Sequence, residues 1–314
     1  MQVASLRLAA LILALYGRAV SGMTLPSRRD PACNGHPQLC GRHYGNTTFL
    51  GSHDSFAHSK NPLALARTQT VDITAQLKLG VRMLQAQGRV HNNVLNFCHT
   101  SCKLFNGGTV EKYLKTVKEF LDKHPNEVLT FIFTNPENAS IEKFWKPAFD
   151  KSGITPVLYI PPHFPMKRDD WPTLGEMIKS KKRVVAFIDS SATNKTGKPI
   201  VNSILPEFNM VWEDPYSSTN DKFPCKVDRT NGPLKPTEQL NMINHNFNKK
   251  IIPIGAGVLV SDHHRASQIN SVKSILAHAY GCAGFANHRS PNFVLLDYVD
   301  IGEGMKAVNE LNGF

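Results

Sequence analysis

Short apolar runs of strand length recur along most of the chain. The eight runs lie at residues 49–53, 81–87, 94–98, 128–134, 183–189, 210–213, 240–245 and 293–299. Several of them are nearly continuous in β-branched and aromatic side chains, a composition that suits strands buried on both faces. The pattern therefore predicts strands that are covered by other elements on each side.

Amphipathic helical stretches lie between several of these runs. Residues 109–123 carry apolar side chains three or four positions apart, which places them on one face of a helix, and His124-Pro125-Asn126 is the expected stop. Further helices are predicted at 140–150, 174–181 and 267–280. Three long stretches, 190–206, 217–236 and 248–266, have no clear period and are predicted to be loops.

Strands that alternate with helices indicate an α/β fold, here a TIM-like (β/α)8 barrel built as a single domain. The run at 94–98 follows 81–87 too closely for a helix to fit between them. The barrel is therefore expected to be irregular on that side. We assign residues 48–314 to the barrel, 23–47 to a disulfide-bearing lead-in and 1–22 to a leader.

Polar side chains gather where the predicted strands end. They include His53, Asp54, Gln85, Gln87, His99, Asn135, Asp189, Glu213, His245 and Asp297. In a barrel of this kind the chemistry lies at the carboxyl ends of the strands, so the placement predicts an active site. His53 and His99 are the leading candidates, because two imidazoles in one pocket can accept one proton and donate another, as cleavage of a phosphodiester requires.

The first 22 residues read as a secretory signal peptide. Arg7 precedes a short apolar run, and small residues at 19–22 form a cleavage site. Three N-x-[ST] sequons, at Asn46, Asn138 and Asn194, suit glycosylation in a secretory pathway. The mature protein is therefore expected to be secreted and soluble.

Six cysteines in an exported chain are expected to form disulfides. The close spacings favour the pairs Cys33–Cys40 and Cys98–Cys102, which leaves Cys225–Cys282. A zinc site at Cys98, His99 and Cys102 is the rival interpretation. It is disfavoured, because no second ligand pair has the spacing of a zinc site and the compartment is oxidising.

Composition and charge bound the possible partners. The chain is 41% hydrophobic and 19% charged, which is ordinary for a globular protein. Its formal charge is +11, and removing Arg7 and Arg18 with the leader leaves +9. A basic chain is attracted to anionic surfaces, so peripheral contact with an anionic membrane is possible. Nucleic acid is disfavoured by the leader and by the lack of a basic-aromatic motif. We expect a monomer.

Three segments resemble the phosphatidylinositol-specific phospholipase C X-domain superfamily, and more narrowly its secreted fungal-type members. They are Gly-Ser-His-Asp-Ser at 51–55, His99 within Cys-His-Thr-Ser-Cys at 98–102, and the final strand that leads to Asp297 at 291–300. The Cys-Asn-Gly…Leu-Cys lead-in at 33–40 is similar as well. The resemblance covers residues 33–313 and implies a TIM-like barrel.

The resemblance also implies a two-histidine mechanism on phosphatidylinositol-like or other glycerophosphodiester substrates. His53 would be the general base and His99 the general acid. Asp54 would pair with the acid side and orient His99, while Asp297 would hold His53 in the required tautomer. Glu213 would contact sugar hydroxyls and Tyr216 would stack on an inositol ring; Asp189 and His245 are further substrate-binding candidates from their position at strand ends.

The chain departs from the family at the second strand. Bacterial members carry an Asp and an Arg there, and calcium-dependent members carry carboxylates, whereas this chain has Gln85 and Gln87. Two amides are poor ligands for a hard cation, so no cofactor is expected and Ca²⁺ is disfavoured. Arg89 lies on the same strand face as Gln87 and is a hypothetical replacement for the missing cation.

Two alternatives to a metal-free phosphodiesterase stay open. The first is a catalytically weak protein that binds inositol phosphates or sugar phosphates in the same pocket, which the two glutamines favour. The second is a calcium-dependent phosphodiesterase that uses Glu213 or Asp189 as ligands.

Overall fold

The structure is a computed structural model that describes residues 32–61, 63–251 and 258–314. The predicted leader lies outside the described residues. The strands are β1 Phe49–Ser52, β2 Met83–His91, β3 Val94–His99, β4 Phe105–Thr109, β5 Leu129–Thr134, β6 Val184–Ile188, β7 Leu205–Pro206, β8 Val211–Glu213, β9 Leu240–Asn244, β10 Asn248–Lys250, β11 Leu259–Ser261 and β12 Phe293–Leu296. The helices are α1 Pro37–Cys40, α2 Ile73–Lys78, α3 Val110–Lys123, α4 Lys146–Ser152, α5 Leu174–Lys179, α6 Ala266–Ile269, α7 Val272–Cys282 and α8 Gly304–Leu311.

Eight parallel strands curl into the central sheet, in the order β7-β6-β5-β2-β1-β12-β9-β8. The first strand along the chain pairs with the last, with Gly51 opposite Leu295. No pairing joins β7 to β8 among the described strands, so the barrel is open at that point. The predicted fold, an irregular TIM-like (β/α)8 barrel in one domain, is confirmed.

The run at 94–98 is a strand, as predicted, but it does not belong to the barrel, and one barrel strand was not predicted. Residues 94–98 belong to β3, which is not a barrel strand but pairs antiparallel with the outer half of β2 and with β4. Asn92 and Asn93 join β2 to β3, and both have positive φ, as the tightest hairpin loops require. The missing barrel strand is β7, which lies in the stretch 190–206 that lacked any strand pattern because it is only two residues long.

The observed helices are close to the predicted ones. Thr109 caps α3, its hydroxyl accepting a hydrogen bond from the Lys112 N–H. The stretch at 140–150 divides into a π-helical turn, Ile141–Trp145, and α4. The stretch at 267–280 divides into α6 and α7, with Ser271 capping the second. In the described ranges no helix is long and apolar enough to cross a bilayer.

Alternation along the strands separates two hydrophobic layers. One layer fills the barrel and includes Phe49, Phe187 and Phe293, and the lead-in packs its buried Tyr44 against it. The other layer, which includes Leu50 and Trp212, packs between the strands and the helices. At the carboxyl end of the barrel the inward-facing positions are polar. The side chains at the ends of the strands therefore meet in one opening, which we call the mouth.

The three predicted disulfides are present: Cys33–Cys40, Cys98–Cys102 and Cys225–Cys282. The zinc alternative at Cys98 and Cys102 is therefore excluded, since both sulfurs are bonded to each other. The sequon residues Asn46, Asn138 and Asn194 are exposed.

Candidate active site

His53 follows β1 directly and is held at the barrel mouth. Its Nδ1 lies 2.7 Å from Oδ1 of Asp297, which follows β12, the strand paired with β1. The other oxygen of Asp297 accepts a hydrogen bond of 2.6 Å from the Ser261 hydroxyl. With Nδ1–H donated to the carboxylate, Nε2 is the nitrogen that remains for chemistry.

His99 lies at the end of β3 and faces His53 across the mouth. The two ring centroids are 6.2 Å apart, and the rings are nearly perpendicular. Nδ1 of His99 lies 2.6 Å from the Ala66 carbonyl oxygen, so this nitrogen carries a proton and Nε2 faces the mouth. The disulfide between Cys98 and Cys102 closes the loop that follows.

Asp54 lies between the two imidazoles. Its Oδ2 is 3.3 Å from Nε2 of His99 and 3.7 Å from Nε2 of His53. Gln87 donates to the same oxygen at 3.0 Å, and Gln85 accepts from the Asp54 backbone N–H at 2.8 Å. The carboxylate is fully buried, and its Oδ1 has no hydrogen-bond partner among the described residues.

The surrounding carboxylates control the charge of His53. Burial by itself would lower its pKa, but Asp297, and then Asp54 and Glu213, outweigh burial and raise the pKa from 6.5 to about 9. In the free protein His53 is therefore mostly cationic at neutral pH.

A second cluster of charges forms the opposite wall of the mouth. The Arg229 guanidinium pairs with Glu213, whose Oε2 also accepts from Asn244 at 3.1 Å. Glu207 is buried beside Glu213, and burial followed by repulsion from Glu213 raises its pKa well above the usual range. Burial also raises the pKa of Asp189, which accepts from the Asn135 N–H at 2.7 Å. One cation thus balances several acids in this wall.

Three of the predicted substrate-binding residues are placed differently from the prediction. Arg89 and His245 are held by other partners, and Tyr216 lies at the rim of the mouth. Arg89 is paired with Glu137 at 3.0 Å, so its charge is already compensated. Tyr216 is 57% exposed at the rim, with the Arg229 guanidinium 4.6 Å from its ring centre. The prediction for His245 is wrong.

His245 is a buried structural residue. Its Nδ1 lies 2.9 Å from Nδ1 of His278, whose Nε2 lies 2.7 Å from Asp214. Burial, and then the charge of His278, lower the pKa of His245 to about 3. The physical reason is alternation, because Met242 and Asn244 of β9 point into the barrel and the chain turns outward after Asn244.

Most of the chain matches a known protein family. The family model PI-PLC X 1 matches residues 39–312. The chain belongs to the PI-PLC X family. PI-PLC X domain-containing protein 1 of Arthroderma benhamiae is 38% identical, over 98% of this chain and 96% of the relative. An uncharacterized secreted protein of the same fungus is 37% identical, over 88% of this chain and 62% of its own length.

Solved PI-PLC structures share the barrel. The phosphatidylinositol-specific phospholipase C of Listeria monocytogenes aligns with a TM-score of 0.59 at 14% identity, covering 88% of this chain and 95% of that one. The Staphylococcus aureus enzyme, as its F249X mutant, aligns with a TM-score of 0.52 at 18% identity, covering 82% and 88%. These likenesses establish the fold of this PI-PLC X chain.

Several residues at the mouth of this PI-PLC X barrel escaped the sequence analysis. Asn244 was detectable, since it follows Met242 by two positions on a predicted strand and must share its inward face. Glu207 and Arg229 had no such signal. Glu207 follows the two-residue strand β7, and Arg229 lies in a stretch without period.

Proposed function

We propose that this protein is a secreted phosphodiesterase that cleaves phosphatidylinositol-like or other glycerophosphodiester substrates by His/His acid–base catalysis. One observation carries the proposal: two imidazoles face each other across a buried carboxylate, and each has its outer nitrogen bound to a fixed acceptor. The disulfides and a relative described as secreted support export.

In the proposed reaction Nε2 of His53 removes the proton from a hydroxyl next to the phosphate. That oxygen attacks phosphorus and forms a cyclic phosphodiester. Nε2–H of His99 gives its proton to the departing glycerol oxygen as the phosphorus–oxygen bond breaks. Asp297 keeps the proton of His53 on Nδ1, and the Ala66 carbonyl does the same for His99.

Asp54 serves the acid in this scheme. It lies closer to His99 than to His53, so it is placed to orient the ring that donates the proton. The base must first lose its proton. With a pKa of about 9, roughly one molecule in a hundred carries neutral His53 at pH 7, and that fraction grows about tenfold for each pH unit until the pH approaches 9.

We further propose that the reaction needs no calcium ion. Gln87 turns its NH₂ toward Asp54, and its carbonyl accepts from the Thr100 N–H at 3.3 Å. The Gln85 carbonyl is occupied by the Asp54 N–H. Hard cations require several free oxygens, and the two amides do not fit that need. Of the two candidate carboxylate ligands, Glu213 is paired with Arg229, and Asp189 accepts from the Asn135 N–H.

The wall opposite the histidines suits a polyol head group. Glu213, Asn244 and Arg229 offer acceptors and donors to ring hydroxyls, and the exposed ring of Tyr216 can cover one face of a sugar. These contacts support an inositol-type substrate.

The test is turnover of phosphatidylinositol vesicles by the purified protein, with calcium and with chelator. His53→Ala and His99→Ala are each expected to slow cleavage by about 10² to 10⁴. His163→Ala, in an exposed loop near Pro165, is the matched control and should leave the rate unchanged. Activity that survives both catalytic substitutions would refute the mechanism.

The alternatives have distinct outcomes in the same assay. Turnover that disappears with chelator supports the calcium-dependent enzyme. Binding of inositol phosphates without turnover on any substrate supports the binding protein. That second function is favoured by one observation, that β2 presents two amides to Asp54 rather than an arginine or a lysine.

A further inference from the structure

A cleft of about 490 Å³ opens beside the two histidines without including them. The loop after β1 forms one wall, and the hairpin of β10 and β11 forms the other. Its lining includes Lys60, Arg67, Lys249, Ser261, His263 and Tyr298. We call it the Arg67 cleft. Its volume is in the range of small-ligand sites.

The Arg67 cleft is connected to both histidines through neighbouring residues. Ala66, whose carbonyl binds His99, directly precedes Arg67 in the chain. Ser261, which lines the cleft, donates to Asp297 and so supports His53. A ligand in the cleft would therefore lie next to the reaction centre.

Arg67 is a buried cation without an acid. The residue is 8% exposed, and its Nη1 donates to the Ser59 carbonyl at 3.0 Å. Across the described ranges it forms no ion pair with a carboxylate, and its guanidinium carbon lies 5.7 Å from the centre of the Tyr298 ring. A largely buried cation that lines an open cleft can take its counterion from a ligand in that cleft.

The rest of the cleft strengthens the positive potential. Lys60 is exposed at the rim and forms no ion pair among the residues described. Lys249 pairs with Asp262 at 3.3 Å, and the nearby Asp300 accepts from Thr70 at 2.5 Å. Lys249 compensates Asp262, whereas Thr70 is neutral and leaves the charge of Asp300 in place. Arg67 and Lys60 together outweigh Asp300, so the cleft keeps a net positive charge for a ligand.

Apolar residues at the rim indicate that the ligand belongs to a lipid. Leu63 is 81% exposed and Leu65 is 55% exposed, and both lie on the loop that carries Arg67. Exposed leucines next to uncompensated cations suit a bilayer surface, where acyl chains meet phosphate groups.

We propose that the Arg67 cleft binds a phosphate group of an anionic phospholipid in addition to the phosphodiester that is cleaved. The group belongs either to a phosphorylated head group of the substrate or to a neighbouring lipid. This inference deepens the proposed function and rests on it for the position of the scissile bond. Binding can nevertheless be measured without turnover.

The test is binding to phosphatidylcholine vesicles in calcium-free buffer, measured by flotation. One set contains phosphatidic acid, a second contains phosphatidylinositol 4-phosphate, and a third contains phosphatidylserine at matched net charge. The protein should prefer one or both of the first two sets to the third. Preference for phosphatidylinositol 4-phosphate alone assigns the group to the substrate, and preference for phosphatidic acid assigns it to a neighbouring lipid.

Substitutions in the Arg67 cleft test whether this cleft causes the preference for phosphate-rich vesicles. Arg67→Gln should weaken binding to the preferred vesicles about tenfold, and Arg67→Lys should retain part of it. Lys60→Gln, at an exposed position that does not endanger folding, should weaken it about fivefold. Lys179→Gln removes the same charge from an exposed position in the last turn of α5 and should change nothing.

The proposal is overturned if the parent protein does not prefer either phosphate-rich set to phosphatidylserine. It is also overturned if Lys60→Gln binds like the parent, or if Lys179→Gln is weakened as much as Lys60→Gln. None of these results bears on cleavage by the histidines, and lack of cleavage does not affect the binding result.

Discussion

Replacing Asp297 with Asn tests how the site sets the charge of His53. The substitution keeps the shape and an oxygen acceptor for Nδ1–H, but it removes the negative charge 2.7 Å from the ring. The rise of the His53 pKa from 6.5 to about 9 corresponds to about 3 kcal/mol in favour of the charged ring. Burial opposes that rise, and Asp297 is the largest contribution that outweighs burial.

We therefore expect the pKa of His53 to fall by about two units in Asp297→Asn, to about 7. Asp54 and Glu213 remain in the variant and keep the pKa from falling further. The assay is an NMR titration of the His53 ring between pH 5 and pH 10, with the signal assigned by His53→Ala. Asp300→Asn is the matched control, because Asp300 is an exposed carboxylate on the same loop that bonds to Thr70.

The same reasoning sets the sign of the effect on stability. Because the folded pKa of His53 is above its unfolded value, its ion pair stabilises the native state fully below pH 6.5 and loses that effect as the pH rises through about 9. Asp297→Asn should therefore cost about 2 to 3 kcal/mol of unfolding free energy at pH 6 and much less at pH 10. An unchanged His53 titration in Asp297→Asn would refute this account of the site.

Three further experiments test the parts around the site. Arg229→Gln leaves the buried Glu207 and Glu213 without a cation, so urea denaturation should show a loss of about 3 to 5 kcal/mol in unfolding free energy that is larger at pH 8 than at pH 5. Adding Glu207→Gln to this variant should restore part of the lost stability. No restoration would contradict the interaction between Arg229 and the two acids. His245→Ala should destabilise the fold by about 2 kcal/mol, while kcat per folded molecule stays at the parent value, since His245 is buried away from the mouth. Replacing both Cys225 and Cys282 with Ser removes their disulfide and should lower the free energy of unfolding by about 4 kcal/mol, because the bond joins positions 57 residues apart. An unchanged melting temperature would argue against this contribution.

The prediction of strands succeeded where a strand is long and buried on both faces. The runs that became β5 and β6 are continuous in apolar residues because helices cover one face and the barrel core covers the other. It failed at β7, because two residues carry no period. It found β3 but assigned it to the barrel, since an antiparallel hairpin strand has the same apolar composition as a barrel strand.

The sequence by itself determined the barrel, the three disulfides and the two histidines at strand ends. These features depend on local pattern and spacing, which a single chain displays. Only the tertiary structure decided which polar groups meet. Asp54 lies between both histidines, Arg229 reaches Glu213 from an irregular loop, and Arg67 remains without an acid, because contacts of this kind join residues that are distant in sequence and follow no period.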